Sequence, residues 1–141
     1  MKQPVLITVN SSFHTDEGDD SSEFFTEGIL ALKNGKYYLI YDTVYDDGNT
    51  IKTTLIAHHT KKITLKNSGD TSYSLSLEEN VRSTNLVSFG GLEMMLGVQP
   101  NRICCELAEN GHGSILMKYY ILNEGEILSE NTIQIQVRPK N

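Results

Sequence analysis

The sequence predicts an all-β protein, a closed antiparallel meander β-barrel of about 8–10 strands. Composition is the first reason. It holds 7 Val, 12 Ile and 12 Thr against 3 Ala, and β-branched side chains suit a pleated surface whereas Ala suits a helix. The second reason is a recurring run of alternating apolar residues closed by a turn signal, at the short spacing of a meander. Length is the third. A chain of 141 residues, 38% of them hydrophobic, fits a single domain over residues 1–141 whose core needs no disulfide or structural metal.

The first strand is read at residues 4–10, and the polar, acidic stretch 11–22 after it reads as a loop. Residues 23–33 and 36–46 flank Asn34-Gly35, two residues that tolerate positive φ, and so form a hairpin with a two-residue type I′ turn. Further strands are read at 50–58, 61–67, 72–79, 81–88, 92–98, 102–108, 114–122 and 132–138. Between them lie Asp46-Asp47-Gly48-Asn49, Asn67-Ser68-Gly69-Asp70, Gly90-Gly91, Gln99-Pro100-Asn101, Asn110-Gly111-His112-Gly113 and Asn123-Glu124-Gly125, all of turn composition. Connections this short force antiparallel neighbours. Tyr73, Leu75 and Leu77 alternate with Ser72, Ser74, Ser76 and Glu78, and Ile133, Ile135 and Val137 with Gln134 and Gln136, as in a sheet wet on one face. With no helix to cover the other face, the sheet must close, and short turns favour a barrel over a two-sheet sandwich.

The Asn34-Gly35 turn also sets a register. Lys33 faces Lys36, and the pairing continues Leu32 with Tyr37, Leu30 with Leu39, Gly28 with Tyr41, Thr26 with Thr43 and Phe24 with Tyr45 on one mostly apolar face. This face is expected to be the barrel interior, with the Tyr41 ring lying over the bare backbone of Gly28. The opposite face carries Phe25, Ile29, Ala31, Tyr38, Ile40 and Val44, and places Glu27 directly across from Asp42.

Several short motifs look familiar together. Thr26-Glu27-Gly28, Asn34-Gly35-Lys36-Tyr37-Tyr38 leading into Tyr41-Asp42, Thr53-Thr54-Leu55, Ile63-Thr64-Leu65-Lys66 before Ser68-Gly69, and Phe89-Gly90 resemble the YwiB-like family, a bacterial domain of unknown function. The resemblance covers nearly the whole chain in order of elements. It implies a lipocalin-like (calycin) barrel and carries no established activity.

Charge narrows the partners. The net charge is −6, and residues 1–30 carry Lys2 against Asp16, Glu17, Asp19, Asp20, Glu23 and Glu27, so the field repels nucleic acid and anionic membrane surfaces. No basic stretch precedes an apolar run and a cleavage site, and no segment approaches the roughly 20 apolar residues of a membrane helix, so a soluble, cytoplasmic protein is expected. Cys104 and Cys105 are adjacent in a strand, point to opposite faces and make a poor disulfide pair; Cys105 reads as core filler. His14, His58, His59 and His112 lack metal-ligand spacing, and Asp16, Glu17, Asp19 and Asp20 lack the pattern of a calcium loop. Neither a Gly-x-Ser-x-Gly elbow nor a Gly-x-Gly-x-x-Gly fingerprint occurs. No metal, cofactor or catalytic residue is expected.

What remains is binding. Tyr37, Tyr41 and Tyr45 either pack the core or line a cavity for a small, partly apolar ligand. Glu27 and Asp42, about 5 Å apart at Cβ if paired, repel each other and call for a bound cation, a ligand ammonium, a basic neighbour such as Arg82 or Lys52, or full solvation. Their spacing also suits a retaining glycosidase, but the chain has no Trp to serve as a sugar platform. The leading expectation is a non-catalytic barrel that binds a small molecule; the alternative is a homodimer formed through the outer Phe25, Tyr38, Ile40 and Val44 face.

Overall fold

The alternation resolves into strands over nearly the whole chain. The structure is a computed structural model that describes residues 1–44, 47–69, 71–89 and 91–140, with Thr71 and Phe89 described by backbone alone. Ten strands and no helix occur among the described residues. They are β1 (Lys2–Thr15), β2 (Gly18–Lys33), β3 (Lys36–Val44), β4 (Thr50–His59), β5 (Lys62–Ser68), β6 (Thr71–Glu78), β7 (Ser83–Phe89), β8 (Leu92–Leu107), β9 (Gly113–Asn123) and β10 (Glu126–Pro139). Each pairs antiparallel with its sequence neighbours, and β1 pairs with β10 to close the ring.

The β2–β3 hairpin has the register that its turn dictates. Lys33 stands opposite Lys36 and Gly28 opposite Tyr41, with Asn34 at φ 53° and Gly35 at φ 77°, the two positive values of a type I′ turn. Because side chains alternate, this register carries one face around the whole barrel. Leu30, Leu39, Leu55, Leu65 and Leu75 stand side by side on five consecutive strands, every one buried. Below them lie Ala57, Ile63 and Leu77, and across the barrel Val98, Ile103, Ile115, Met117 and Ile135 complete the core.

Three expectations are corrected. Residues 11–22 are not a loop: β1 and β2 stay paired from Asn10 with Glu23 up to Thr15 with Gly18, leaving only Asp16 and Glu17 to turn. This part of the hairpin rises past the core and is wet on both faces, so a polar composition that suggested a loop belongs to a strand. Residues 92–98 and 102–108 are a single strand, β8, because Gln99-Pro100-Asn101 forms a bulge rather than a turn. A bulge admits proline, which has no N–H to give the ladder, and the Pro100 carbonyl accepts from the Asn80 N–H at 2.9 Å. The last strand starts at Glu126 rather than at 132, directly after the Glu124-Gly125 turn.

The bulge redirects the lower half of β8. Above it, β8 pairs with β7; below it, the Cys105 N–H donates to the Thr60 carbonyl at 2.8 Å, joining β8 to the β4–β5 turn. Glu79 secures the same region by accepting the Ile103 N–H at 3.1 Å and the Lys61 ammonium at 3.1 Å. The base of the barrel is thereby covered.

Two stability outcomes follow from the interior face. A Cβ built on Gly28 would lie 2.5 Å from the Ile40 carbonyl oxygen and 2.6 Å from Ile7 Cδ1, so Gly28→Ala should cost about 1–3 kcal/mol in denaturant unfolding. An unchanged midpoint would mean that β2 and β3 do not meet there. Leu75→Ala should cost about 2–5 kcal/mol and Ser74→Ala, its exposed neighbour, less than about 0.5, and equal losses would show the two faces to be exchanged.

Candidate functional site

One interior row differs from the leucines beneath it. Tyr41, Thr53, Asn67 and Tyr73 stand on consecutive strands β3 to β6, one row above Leu39, Leu55, Leu65 and Leu75. They form a polar belt in an apolar barrel. Thr53 Oγ1 donates to Asn67 Oδ1 at 3.0 Å, and Asn67 Nδ2 donates to the Tyr73 hydroxyl at 2.6 Å. Tyr119 on β9 reaches the same space: burial raises its pKa first, and the nearby Tyr73 and Tyr41 raise it further, so it stays a neutral phenol. Outside the strand ladders, the hydrogen bond of Tyr119 among the described residues is made by its carbonyl, which accepts from Asn131 Nδ2 at 3.4 Å. No enclosed side-chain polar atom among the described residues lacks a partner, so the Tyr119 hydroxyl borders open space rather than sealed core.

Above the belt the wall parts. The β2–β3 ladder ends at Gly28 and Tyr41, while β2 continues along β1 to Gly18 and β3 along β4 to Val44. At the fork the Thr26 hydroxyl donates to the Asp42 carbonyl at 3.2 Å, engaging the next acceptor of the ladder with a side chain. The gap is a cleft of about 490 Å³ lined by Ser11, Ser22, Glu23, Phe24, Phe25, Thr26, Asp42, Thr43 and Val44. By alternation Ser11, Ser22, Phe24, Thr26 and Thr43 face inward and Glu23, Phe25, Asp42 and Val44 outward. A cleft lined by both faces of a sheet is a window through it. Phe24 packs on Tyr41 with ring centroids 6.2 Å apart, so the inner rim leads onto the belt.

The residues singled out from the sequence divide. Tyr41 is buried in the belt. Tyr37 shares its inward face but sits lower, beside Ala57, His58 and Cys105 in a recess of about 230 Å³ near the base. Tyr45 lies outside the described residues, as do Asp46, Asp70, Gly90 and Asn141. Glu27 and Asp42, expected to face each other, lie beyond the last pair of the β2–β3 ladder, because the strands part after Gly28 and Tyr41; both are exposed, and Glu27 pairs with Lys140 at 2.9 Å. Lys52 stands opposite Asp42 in the β3–β4 ladder, whereas Arg82 belongs to the β6–β7 turn. Tyr73, Tyr119, Thr53 and Asn67 were missed; period-2 patterning turns Tyr73 inward, but only the register brings it beside Asn67.

Reactive chemistry is sparse. Both cysteines are free, and burial pushes the Cys105 thiol up to about 12, which leaves it protonated and inert. No group of three His, Cys, Asp or Glu among the described residues is placed to hold a metal ion.

The profile of a family described as a domain of unknown function (DUF1934) matches residues 7–135. The chain belongs to that family. The YwiB-like resemblance agrees with it: the crystal structure of the ywiB protein from Bacillus subtilis is similar at a TM-score of 0.85 and 20% identity, over 99% of this chain and 94% of that one. At that identity the likeness shows the family's barrel fold alone. No curated protein matches the chain. No helix of the described residues is long and apolar enough to cross a membrane.

The histidines supply a pH test of the geometry at the two ends of the barrel. At the tip of the β1–β2 hairpin, His14 pairs with Asp19, whose hydrogen bond and then whose charge raise the imidazole pKa, helped by Glu130 and Asp16. His58 is shifted down, by burial first and then by Lys36, Lys62 and His59. In an NMR titration His14 should therefore have its midpoint above the ordinary value of about 6.5 and His58 below it. The sign for stability follows: the His14 contribution is present in full below pH about 6.5 and fades as pH rises through its raised pKa, so amide exchange at the tip should quicken there. Asp19→Asn should bring His14 back towards 6.5, and coincident midpoints in the parent protein would mean that the tip is unzipped.

Proposed function

We propose that this protein is a non-catalytic binder of a small, partly apolar molecule, held above the polar belt in the cleft between β2 and β3. One observation carries the reading: a row of hydroxyl and amide groups, Tyr41, Thr53, Asn67, Tyr73 and Tyr119, crosses an interior otherwise filled by aliphatic side chains, and it lies where the wall opens. Ligand sites combine mostly apolar walls with a few placed polar groups in this way. The belt suits orientation rather than reaction, since its side chains are neutral at pH 7 and the thiol nearest the base is protonated.

Native mass spectrometry after gentle purification, with calorimetric titration of 2-phenylethanol, tests the reading. A retained small molecule or saturable binding is expected. Tyr119→Phe should weaken that binding by about threefold to tenfold, the worth of one hydrogen bond, without lowering the melting temperature, because no described residue depends on its hydroxyl. A protein that is bare in the spectrometer and silent towards 2-phenylethanol and towards its ammonium and carboxylate analogues would overturn it.

A homodimer is a second reading, favoured by the exposure of Phe25 (73%) and Val44 (70%) on the outer face. Light scattering that gives twice the chain mass, halved by Phe25→Ser, would support it.

A further inference from the structure

We infer that the window selects a cationic ligand, a primary ammonium group borne on an apolar or aromatic body. The inference rests on the reading of the belt as a ligand site and adds the chemistry of its doorway. Glu23 and Asp42 sit on the outer rim of the 490 Å³ window, one on each strand, and no Lys, Arg or His lines it. Neither carboxylate forms an ion pair with a described residue, although Glu27 beside them is satisfied by Lys140. Lys52 is opposite Asp42 in the ladder yet forms no ion pair with it and is absent from the rim. The rim is thus a negative opening: Lys52 across the ladder offsets Asp42 in part, and Glu23 has no cation paired with it among the described residues. The field around it reinforces this, because residues 1–30 hold six carboxylates against one Lys.

The inner path fits the same chemistry. An ammonium brings three donors and no acceptor. It meets carboxylates at the rim, the hydroxyls of Thr26 and Thr43 just inside, and then the aromatic pair Phe24 and Tyr41, whose ring faces attract cations. The Tyr119 hydroxyl, bordering open space deeper in, is free to meet a polar group on the body of the ligand. The apolar lining of the cleft itself, Phe24, Phe25 and Val44, receives the apolar part. A carboxylate or phosphate on the ligand would instead face two carboxylates in a cleft that no Lys, Arg or His lines.

Three probes of similar shape separate the possibilities in calorimetric titrations of the full chain: 2-phenylethylammonium, 2-phenylethanol and 3-phenylpropionate. The ammonium should bind about fivefold or more tighter than the alcohol, lose that advantage as salt is raised, and leave the carboxylate without measurable binding. Glu23→Gln combined with Asp42→Asn, both at exposed positions and checked by thermal melting, should bring the ammonium down to the affinity of the alcohol and leave the alcohol unchanged. Equal affinities in the parent protein, or an ammonium preference that survives the double substitution, would overturn the charge selection while the ligand site stands. Failure of all three probes to bind would overturn both.

Discussion

Closure of the sheet by β1 is the constraint on which the molecule depends. This strand pairs with β2 through fourteen residue pairs, from Lys2 with Ala31 to Thr15 with Gly18, and with β10 from Val5 with Pro139 to His14 with Glu130. Both of its edges are therefore engaged, so β1 offers no free edge along the core to recruit another chain. Closure also turns one face of every strand into an interior. Val5, Ile7 and Val9 point inward from β1 against Leu30, Ile135 and Val137, and a slip of one residue in either ladder would expose all three.

Within that ring the two ends are built differently. At the base, β8 changes neighbour at its bulge, and Thr60, Glu79 and Asn80 take up the backbone groups that the irregular stretch would leave unpaired. The carboxylate of Glu79 is held charged there by the Ile103 N–H and by Lys61, which lower its pKa. At the upper end β2 and β3 separate, and the residues nearest the opening change from Leu to Tyr, Thr and Asn. An apolar lower core and a polar upper one follow the access of water, since a buried hydroxyl or amide must find a partner whereas a leucine need not.

Local features of the sequence transferred well to the structure. Asn34-Gly35 specifies its turn and register by itself because both depend on a few contiguous residues, and the alternation in residues 72–78 places Leu75 and Leu77 inside for the same reason. Features that depend on neighbours distant in the chain did not transfer. Residues 11–22 look like a loop because polarity reports exposure, and a strand exposed on both faces is polar too. Gln99-Pro100-Asn101 reads as a turn until the Asn80 N–H and the Thr60 carbonyl are seen to hold the chain extended through it. The belt is the hardest case. Tyr41, Thr53, Asn67, Tyr73 and Tyr119 come from five strands, and their convergence is fixed by the offset of each ladder relative to the next, which leaves no trace in residue type.

The pairing of Val5 with Pro139 also governs how the chain comes to be folded. Each of the other ladders joins strands that follow one another, so a hairpin can form as soon as its second strand is made, at small cost in loop entropy. The β1–β10 ladder joins the first strand of the barrel to the last and cannot form until β10 has been made. Through all that time the outer edge of β1 waits unpaired, carrying Val5, Ile7 and Val9 towards a core that is not yet there. The long, hydroxyl-rich and acidic upper part of the β1–β2 hairpin keeps this nascent edge hydrated and negatively charged, and so lessens its tendency to pair with the edge of another unfinished chain.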